Sequence, residues 1–160
     1  MSNIPPEVVT DAQAAEREYR PLGPYVSVTV AQWIIESNYG RSMSGKNNPF
    51  GIKATAEQIA AGKATVCWTH ETVTHADGSQ EYVKEPQYFA DYDSLREAFV
   101  AHAALLATSP YYHLAQAAQT PDAYAMALTG IYATGIPGHP YGRALIDVMK
   151  LENLYAYDIS

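Results

Sequence analysis

The chain is poor in cysteine, in basic residues and in long apolar runs, and each shortage excludes a class of protein. Its single cysteine, Cys67, excludes an internal disulfide and a cysteine-rich zinc site. No stretch approaches the roughly 20 uninterrupted apolar residues of a membrane-spanning helix. Ten Lys and Arg face 17 Asp and Glu, for a net charge of −7, and the basic residues form no cluster. Because neutralising the phosphates of a nucleic acid needs such a cluster, we expect no nucleic-acid binding. Because no apolar run is long enough, we also expect no membrane insertion.

The first residues also lack the features of a secretory signal. The sequence MSNIPPE at positions 1–7 has neither the basic nor the apolar region of such a segment. We therefore expect synthesis in the cytoplasm without a signal peptide, and a separate route outward if the substrate lies outside the cell interior.

Cys67 and the five histidines are the residues that would build a thiol or metal site. Cys67 falls in the middle of a predicted strand, whereas a reactive thiolate is typically stabilised at a helix start. His70 and His75 have neither the spacing nor the partners of a zinc motif. We therefore expect no catalytic cysteine, no metal site and no cofactor.

The pattern of apolar residues predicts one mostly helical α+β domain. A length of 160 residues suits a single domain, and an apolar content of 48% argues against disorder. Two runs rich in Val, Thr, Tyr and Trp flank Asp77-Gly78, which is a strong signal for a β-hairpin packed against the helices. We predict helices at 5–20, 25–39, 56–61, 94–108, 111–119, 121–132 and 141–154, strands at 65–75 and 80–89, and a loop at 41–54.

Glu36 is the residue that the sequence singles out for chemistry. It lies in the last turn of an otherwise apolar predicted helix that stops at Gly40. The carbonyl ends of that turn disfavour a second negative charge, and Trp33, three residues earlier, can shield the carboxyl from water. Both effects raise the pKa of a carboxyl, as a proton donor near neutral pH requires. The alternative is an ordinary solvated glutamate at a helix end.

Glu71 is the candidate for a second carboxylate. It lies on the first strand of the predicted hairpin, and two carboxyl groups that face one groove can cleave a glycosidic bond. The alternative is an exposed strand glutamate that is paired across the hairpin. Other acids compete for the same role, namely Glu81, Glu85, Asp91 and Asp93.

The loop after the Glu36 helix places an aromatic residue in a turn rich in Gly and Asn. Phe50 is either part of a groove wall or a buried anchor of the loop, and Asn48 bonds either to substrate or to backbone. Gly51 is suited to a backbone conformation that other residues avoid. Tyr132 ends a predicted helix just before the Gly- and Pro-rich segment 135–140, where its hydroxyl either reaches a site or belongs to the core.

These segments occur in an order that resembles the glucosaminidase domain of glycoside hydrolase family 73. That family includes bacterial autolysins, flagellar peptidoglycan hydrolases and phage lysins. The resemblance covers roughly residues 22–157. It is carried by AQWIIESNYG at 31–40, NPFGIKA at 48–54, THE at 69–71, YDS at 92–94, YAT at 132–134 and YGRAL at 141–145.

The resemblance implies a lysozyme-like fold with a single β-hairpin that borders a substrate groove. Residues 1–21 would form an N-terminal helix and lead-in, and residues 22–160 the catalytic domain, within one compact unit. It also implies a metal-independent endo-β-N-acetylglucosaminidase that cleaves the β-1,4 bond after N-acetylglucosamine in peptidoglycan.

The same resemblance assigns roles to individual residues. Glu36 would be the general acid, Glu71 the second catalytic carboxylate and Tyr132 a catalytic tyrosine that lines the site. Substrate contacts are expected from Tyr39, Asn48, Phe50 and Gly51.

The resemblance further implies where the protein acts. The partner would be the glycan strands of peptidoglycan, reached at the cell wall, in the periplasm, after release through a holin or delivery by a secretion system. We expect the protein to be a monomer.

Two departures from the family and two rival functions stay open at this point. Ala101-His102 stands where some relatives carry an acid followed by an aromatic residue, and the segment 135–140 is an insertion that can reshape one end of the groove. The rival enzymatic function is a muramidase or lytic transglycosylase on the same glycan. The rival of another class is a non-catalytic wall-binding or phage structural protein.

Overall fold

A buried helix, α2 (Val26–Ser37), carries Glu36 at its C-terminal end. Every residue from position 26 to position 34 is buried, as the apolar sequence VSVTVAQWI requires. Ile35 and Glu36 are the first exposed residues of the helix, because α2 leaves the core at that point. The predicted helix at 25–39 is thus confirmed, with Glu36 in its last turn.

The computed structural model describes residues 3–159, apart from the side chains of residues 69–71. Within that range, no helix is long and apolar enough to cross a membrane. In chain order the helices are α1 (Pro6–Tyr19), α2, α3 (Ala56–Ala60), α4 (Leu95–Thr108), α5 (His113–Gln116), α6 (Pro121–Ala127) and α7 (Tyr141–Leu151), with short 3₁₀ turns at Pro110–Tyr112 and Leu154–Tyr157. The strands are β1 (Ala64–Thr74), β2 (Gln80–Ala90), β3 (Gly135–Ile136) and β4 (His139–Pro140).

Two acidic side chains hold the N-terminus of α2. Glu16 of α1 accepts a hydrogen bond from the Val26 N–H at 3.3 Å. Asp158 accepts from the Ser27 N–H and from the Ser27 hydroxyl, each at 2.7 Å. The first N–H groups of a helix have no partner inside the helix, and negative charge is favourable there. Contacts from both ends of the chain therefore fix the position of the helix that carries Glu36.

The chain reverses sharply after α2. Asn38, Tyr39 and Gly40 have φ values of 49°, 59° and 81°, so three successive residues adopt the left-handed conformation. The hydroxyl of Ser37 donates to the Trp33 carbonyl and accepts from the Gly40 N–H. The helix therefore ends at Ser37, two residues before the predicted end at Tyr39, because Asn38 already takes up the left-handed conformation.

The predicted hairpin is confirmed. β1 and β2 pair antiparallel from Ala64 opposite Ala90 to Thr74 opposite Gln80. In the connecting turn Gly78 has a φ of 87°, and the Asp77 carboxylate accepts from the Ser79 N–H. One face of the hairpin exposes apolar and aromatic side chains, namely Val66, Trp68, Tyr82 and Tyr88.

The C-terminal third differs from the prediction in detail. The helix predicted at 121–132 ends at Ala127. Gly130 lies in the following turn with a φ of 83°, a positive value that an α-helix does not contain. Segment 135–140 is a second, two-residue antiparallel ladder rather than a simple break. The helix predicted at 111–119 divides into a 3₁₀ turn and the short α5, and the last helix ends at Leu151 instead of residue 154.

The core joins the N-terminal helix to the rest of the domain. Val8, Ala12 and Ala15 of α1 belong to the same buried apolar cluster as Trp33 of α2 and Leu145 of α7. Mixed α+β architecture with a small antiparallel sheet is thus confirmed, and α1 packs into the single core rather than standing apart.

Replacement of Asp158 by Ala is expected to destabilise the fold by about 1–3 kcal/mol, because the buried Ser27 N–H loses its acceptor. Chemical denaturation with linear extrapolation measures this difference. Asp147→Ala is the matched control, since Asp147 makes only an exposed pair with His139 and should change stability by less than about 1 kcal/mol. Equal effects of the two variants would contradict this role of Asp158.

Candidate active site

Glu36 is exposed to solvent, yet its carboxyl group is closely surrounded by protein. Burial raises the pKa of Glu36 above its ordinary value, and a hydrogen bond from Tyr141 partly opposes that rise. The Tyr141 hydroxyl donates to Glu36 Oε1 at 2.8 Å. Access for a ligand and a raised pKa therefore occur together, as a general acid requires.

Tyr141 is the first residue of α7, and its ring is almost fully buried. Its pKa is raised strongly, first by burial and second by the nearby charge of Glu36, so it keeps its proton and acts as a donor. The ring stacks in parallel on Tyr132 with 5.9 Å between centroids and 3° between planes. Sequence reasoning gave Tyr141 no role, since it looks like any other of the 13 tyrosines.

Tyr132 lies beside this pair, but its hydroxyl serves another partner. It donates to the Phe50 carbonyl oxygen at 2.7 Å. Burial raises the pKa of Tyr132 well above its ordinary value, with the charge of Glu36 as the second cause. The ring of Tyr132 thus borders the Tyr141–Glu36 pair, while its hydroxyl fixes the loop that follows α2.

That loop is anchored from inside the protein. The amide of Asn48 is fully buried, donates to the carbonyls of Ile52 and Ala90 at 2.8 and 2.9 Å, and accepts from the Ile52 N–H at 3.1 Å. The Phe50 ring is 1% exposed and stacks on His102 with 4.0 Å between centroids. Of the alternatives left open for these two residues, the structure shows the backbone partner and the buried anchor. A direct substrate contact by the side chain of Asn48 or Phe50 stays an untested prediction, and both side chains are buried in this structure.

Gly51 and Tyr39 are the two remaining predicted contact residues. Gly51 is exposed, with a φ of 66° and open space where a Cβ would stand, so the expected special conformation is confirmed. Tyr39 is half-buried, meets Trp33 edge to face at 6.1 Å, and donates its hydroxyl to Glu152 at 2.8 Å. Tyr39 lies just after the end of α2, and Gly51 lies in the loop that comes next in the chain.

The side chain of Glu71 lies outside the described part of the structure, and its backbone pairs with Val83 in the hairpin.

Among the acids that compete with Glu71, Asp91 is hydrogen-bonded to other parts of the protein. It accepts from the Thr65 hydroxyl and the Lys46 N–H, and these hydrogen bonds hold the pKa of Asp91 below its ordinary value. Glu81 pairs with the exposed His75 at 3.0 Å. Both acids are thus already engaged with partners outside the Glu36–Tyr141 pair.

Cys67 donates its thiol to the Ser44 carbonyl at 3.2 Å and has no described histidine partner. In the part of the chain that the structure describes, no three His, Cys, Asp or Glu residues come close enough to hold a metal ion.

Of the two cavities that bear on the placement of the site, the larger is not lined by Glu36. It has a volume of about 620 Å³ and lies between Tyr19, Lys63, Tyr92 and Arg96. The smaller has a volume of about 380 Å³ and is bordered by Gly51, Leu105, Ile131 and Tyr132. We place the candidate site by the chemistry of Glu36 and Tyr141 and not by cavity volume. The smaller cavity adjoins this pair through Tyr132, whose ring stacks on Tyr141.

Comparisons with known proteins identify the family to which the chain belongs. Residues 12–154 match the family model described as glucosaminidase, mannosyl-glycoprotein endo-beta-N-acetylglucosaminidase. A probable N-acetylmuramidase of Lactococcus lactis subsp. cremoris is 35% identical over 147 residues. That match covers 85% of this chain and 31% of the relative, so the chain spans about a third of the relative's length.

Solved structures share the fold. The catalytic domain of the autolysin Auto from Listeria monocytogenes superposes with a TM-score of 0.75 at 31% identity, covering 95% of this chain and 84% of the other. A peptidoglycan hydrolase from Sphingomonas sp. A1 superposes with a TM-score of 0.67 at 27% identity, covering 96% and 92%. The lysozyme-like arrangement expected from the sequence is confirmed by these neighbours.

Removal of the Tyr141 hydroxyl is expected to raise the pKa of Glu36 further, because that hydrogen bond stabilises the carboxylate against burial. The measurement is a ¹³C NMR titration of the glutamate side chains in Tyr141→Phe and wild type, with the Glu36 signal assigned by its loss in Glu36→Gln.

Tyr155→Phe is the matched control, because it removes a tyrosine–carboxylate hydrogen bond to Asp122 elsewhere in the fold. It should leave the Glu36 titration unchanged. An unchanged or lowered Glu36 pKa in Tyr141→Phe would contradict the account of this site.

Proposed function

We propose, from the premise that this chain belongs to the glucosaminidase family, that it is an endo-β-N-acetylglucosaminidase that cleaves peptidoglycan. The observation that carries the proposal is Glu36, a solvent-accessible carboxyl whose pKa is raised by burial and whose Oε1 is held by Tyr141. A raised pKa favours the protonated form of the carboxyl, which is the form that can pass a proton to a leaving group.

In the proposed reaction Glu36 donates its proton to the glycosidic oxygen as the bond to the anomeric carbon breaks. Positive charge then develops on the sugar ring, and water adds to the anomeric carbon. Tyr141 keeps the carboxyl in place and does not give up its own proton, because its pKa is raised far above neutral pH. After the step, Glu36 is a carboxylate that the Tyr141 hydroxyl stabilises.

Glu71 is proposed as the base that activates the attacking water. Its support is the family resemblance and its place in β1, where its backbone pairs with Val83. Another residue of the same strand, Cys67, donates to the Ser44 carbonyl, so β1 contacts the loop that follows α2. The rival is assistance by the acetamido group of the substrate itself.

The groove is proposed to run past the end of α2, with Tyr132 as a side wall. The exposed or half-exposed residues Tyr39 and Gly51 are the proposed substrate contacts, whereas Asn48 and Phe50 hold the loop beneath them. Glycan strands are the proposed partner at the cell wall, and the protein is proposed to act as a monomer after release by a holin or a secretion system.

A muramidase is the second candidate for a specific reason. The family model is named for cleavage beside N-acetylglucosamine, whereas the relative at 35% identity is a probable N-acetylmuramidase. The carboxyl chemistry is the same for both bonds, so the groove decides. Mass spectrometry of borohydride-reduced fragments distinguishes them, since new reducing ends are N-acetylglucosamine in our proposal and muramic acid in the rival. Anhydro ends would indicate a lytic transglycosylase.

Glu36→Gln is expected to lower the rate of peptidoglycan cleavage by at least about a hundredfold while the fold stays intact, because glutamine carries no transferable proton. Turbidity loss of purified sacculi measures the rate, and circular dichroism checks the fold. Glu18→Gln, on the exposed face of α1, is the control and should keep wild-type activity. Substantial activity in Glu36→Gln would remove Glu36 from the mechanism. Sacculus binding by an inactive wild type would favour the non-catalytic alternative.

Glu71→Ala is expected to lose activity that sodium azide restores, because azide attacks the anomeric carbon without needing a base. NMR of the products should show an azide adduct of inverted configuration, and wild type should release the inverted sugar first. Retained configuration in the wild-type product, with no rescue by azide, would instead assign the second role to the substrate's acetamido group.

A further inference from the structure

A line of three buried side chains leads from Glu36 into the core. Tyr141 donates to Glu36 Oε1 at 2.8 Å, and Gln32 Nε2 donates to the Tyr141 hydroxyl oxygen at 3.2 Å. His102 Nε2 lies 2.8 Å from Gln32 Oε1. Gln32 and His102 are both 0% exposed, so neither meets substrate or bulk water. Three elements, α2, α4 and α7, supply the residues of this line.

The hydrogen bonds of this line have one direction. Tyr141 has a single proton and gives it to the carboxyl group, so its oxygen must accept from the amide of Gln32. The amide nitrogen therefore faces Tyr141 and the amide oxygen faces His102. That oxygen can only accept, so His102 must carry its proton on Nε2. Every donor in the line thus points toward Glu36.

The environment of His102 keeps the direction of these hydrogen bonds the same near neutral pH. Complete burial lowers the pKa of His102 to about 3, so the ring stays neutral with one N–H. The ring is clamped between Phe50, stacked at 4.0 Å, and Tyr132, edge-on at 6.0 Å. His102 Nδ1 has no partner among the described residues, which fits an acceptor nitrogen better than an N–H buried without an acceptor.

We propose that His102 and Gln32 are positioning residues that act through Tyr141 to keep Glu36 Oε1 a hydrogen-bond acceptor and to leave the transferable proton on Oε2. This inference rests on the proposed role of Glu36 as the acid. Hydrogen bonds in a line polarise one another, so the donors behind Tyr141 strengthen its bond to Glu36. Oε2 has no partner among the described side chains and belongs to the exposed end of α2.

The groups that set the proton affinity of Glu36 are few. Among the described residues, the titratable groups whose pKa responds to the charge of Glu36 are Tyr141, at the start of α7, and Tyr132, in the turn after α6. Both stay protonated near neutral pH, and His102 stays neutral behind them. Glu71 of β1 is the other acid of the proposed site. Among the described side-chain contacts, Gln32 is joined to Glu36 through the hydroxyl of Tyr141.

The test begins with Gln32→Met, which keeps the length of the side chain and removes both hydrogen bonds. We expect the pKa of Glu36 to rise, kcat on soluble peptidoglycan fragments to fall by about twofold to tenfold, and KM to stay the same, because the line does not touch substrate. Gln116→Met is the matched control. It removes two hydrogen bonds from a glutamine amide to the carbonyls of Leu106 and Ser109, away from Glu36, and should change none of these quantities.

A second variant separates positioning from stability. Gln32→Met leaves the His102 N–H buried without an acceptor and so destabilises the fold. The double variant Gln32→Met/His102→Phe removes both polar partners and keeps an aromatic ring against Phe50, so stability should recover. If the line positions Glu36, the raised Glu36 pKa and the lowered kcat persist in this double variant. Recovery of both together with stability would show a structural role only and overturn the proposal.

A double-mutant cycle with Tyr141→Phe closes the test. If Gln32 acts through Tyr141, Gln32→Met should cause no further change of the Glu36 titration once the Tyr141 hydroxyl is absent. Additive changes, or a Glu36 titration that Gln32→Met leaves at its wild-type position, would overturn the proposal. The NMR titration needs no substrate, so an inactive wild type would reject the proposed function while the titration still decides on the line.

Discussion

The hydrogen bond between Tyr141 and Glu36 is the interaction on which the account depends. It joins residues 105 positions apart and connects the end of the buried helix α2 to the start of α7. To make it, α2 must be held at its first turn, and α7 must begin at a fixed point. Glu16 and Asp158 provide the first condition. The second is met where the Gly142 N–H donates to Thr129 and where Gly142, without a Cβ, lies directly against Met126.

Two opposing effects act on the carboxyl group, and burial is the larger. A hydrogen bond to a charged group is worth about 1.5–3 kcal/mol, so Tyr141 favours the carboxylate appreciably. The pKa of Glu36 is nevertheless raised, which means that loss of water around the charge outweighs that bond. The same two effects suit a proton donor, because burial favours the acid before the reaction and the hydroxyl stabilises the carboxylate after it. Glu36 experiences both effects because it lies where α2 leaves the core.

Local sequence patterns predicted the parts of the site that local geometry determines. Glu36 in the last turn of a helix, the Asp-Gly hairpin and the special backbone of Gly51 all depend on neighbours within a few residues. The early end of α6 at Ala127 was missed, because the hydrogen bond between Thr129 and Gly142 is not visible in the sequence. The ladder at 135–140 was also missed, because its strands are only two residues long and such short strands leave no alternating pattern in the sequence.

The side chains around Glu36 depend on long-range packing, and the sequence left them open or unassigned. Phe50 was equally compatible with a groove wall and a buried anchor, and the stack on His102 from α4 decides between them. Tyr141 and Gln32 belong to segments that carry the family resemblance, but neither was assigned a role, because their hydrogen bonds join distant parts of the chain. Ala101-His102 registered as a departure from the family pattern, and the fold shows that this histidine lies behind Glu36.

The most direct test of the central claim compares two measurements on the wild-type protein. The pH dependence of kcat/KM on soluble peptidoglycan fragments reports the essential acid of the free enzyme, and a ¹³C NMR titration reports the pKa of Glu36 itself. If Glu36 is the proton donor, activity is lost on the alkaline side with the same pKa that the Glu36 signal shows, and that pKa lies above the ordinary glutamate value. An alkaline limb that departs from the Glu36 titration would contradict the account.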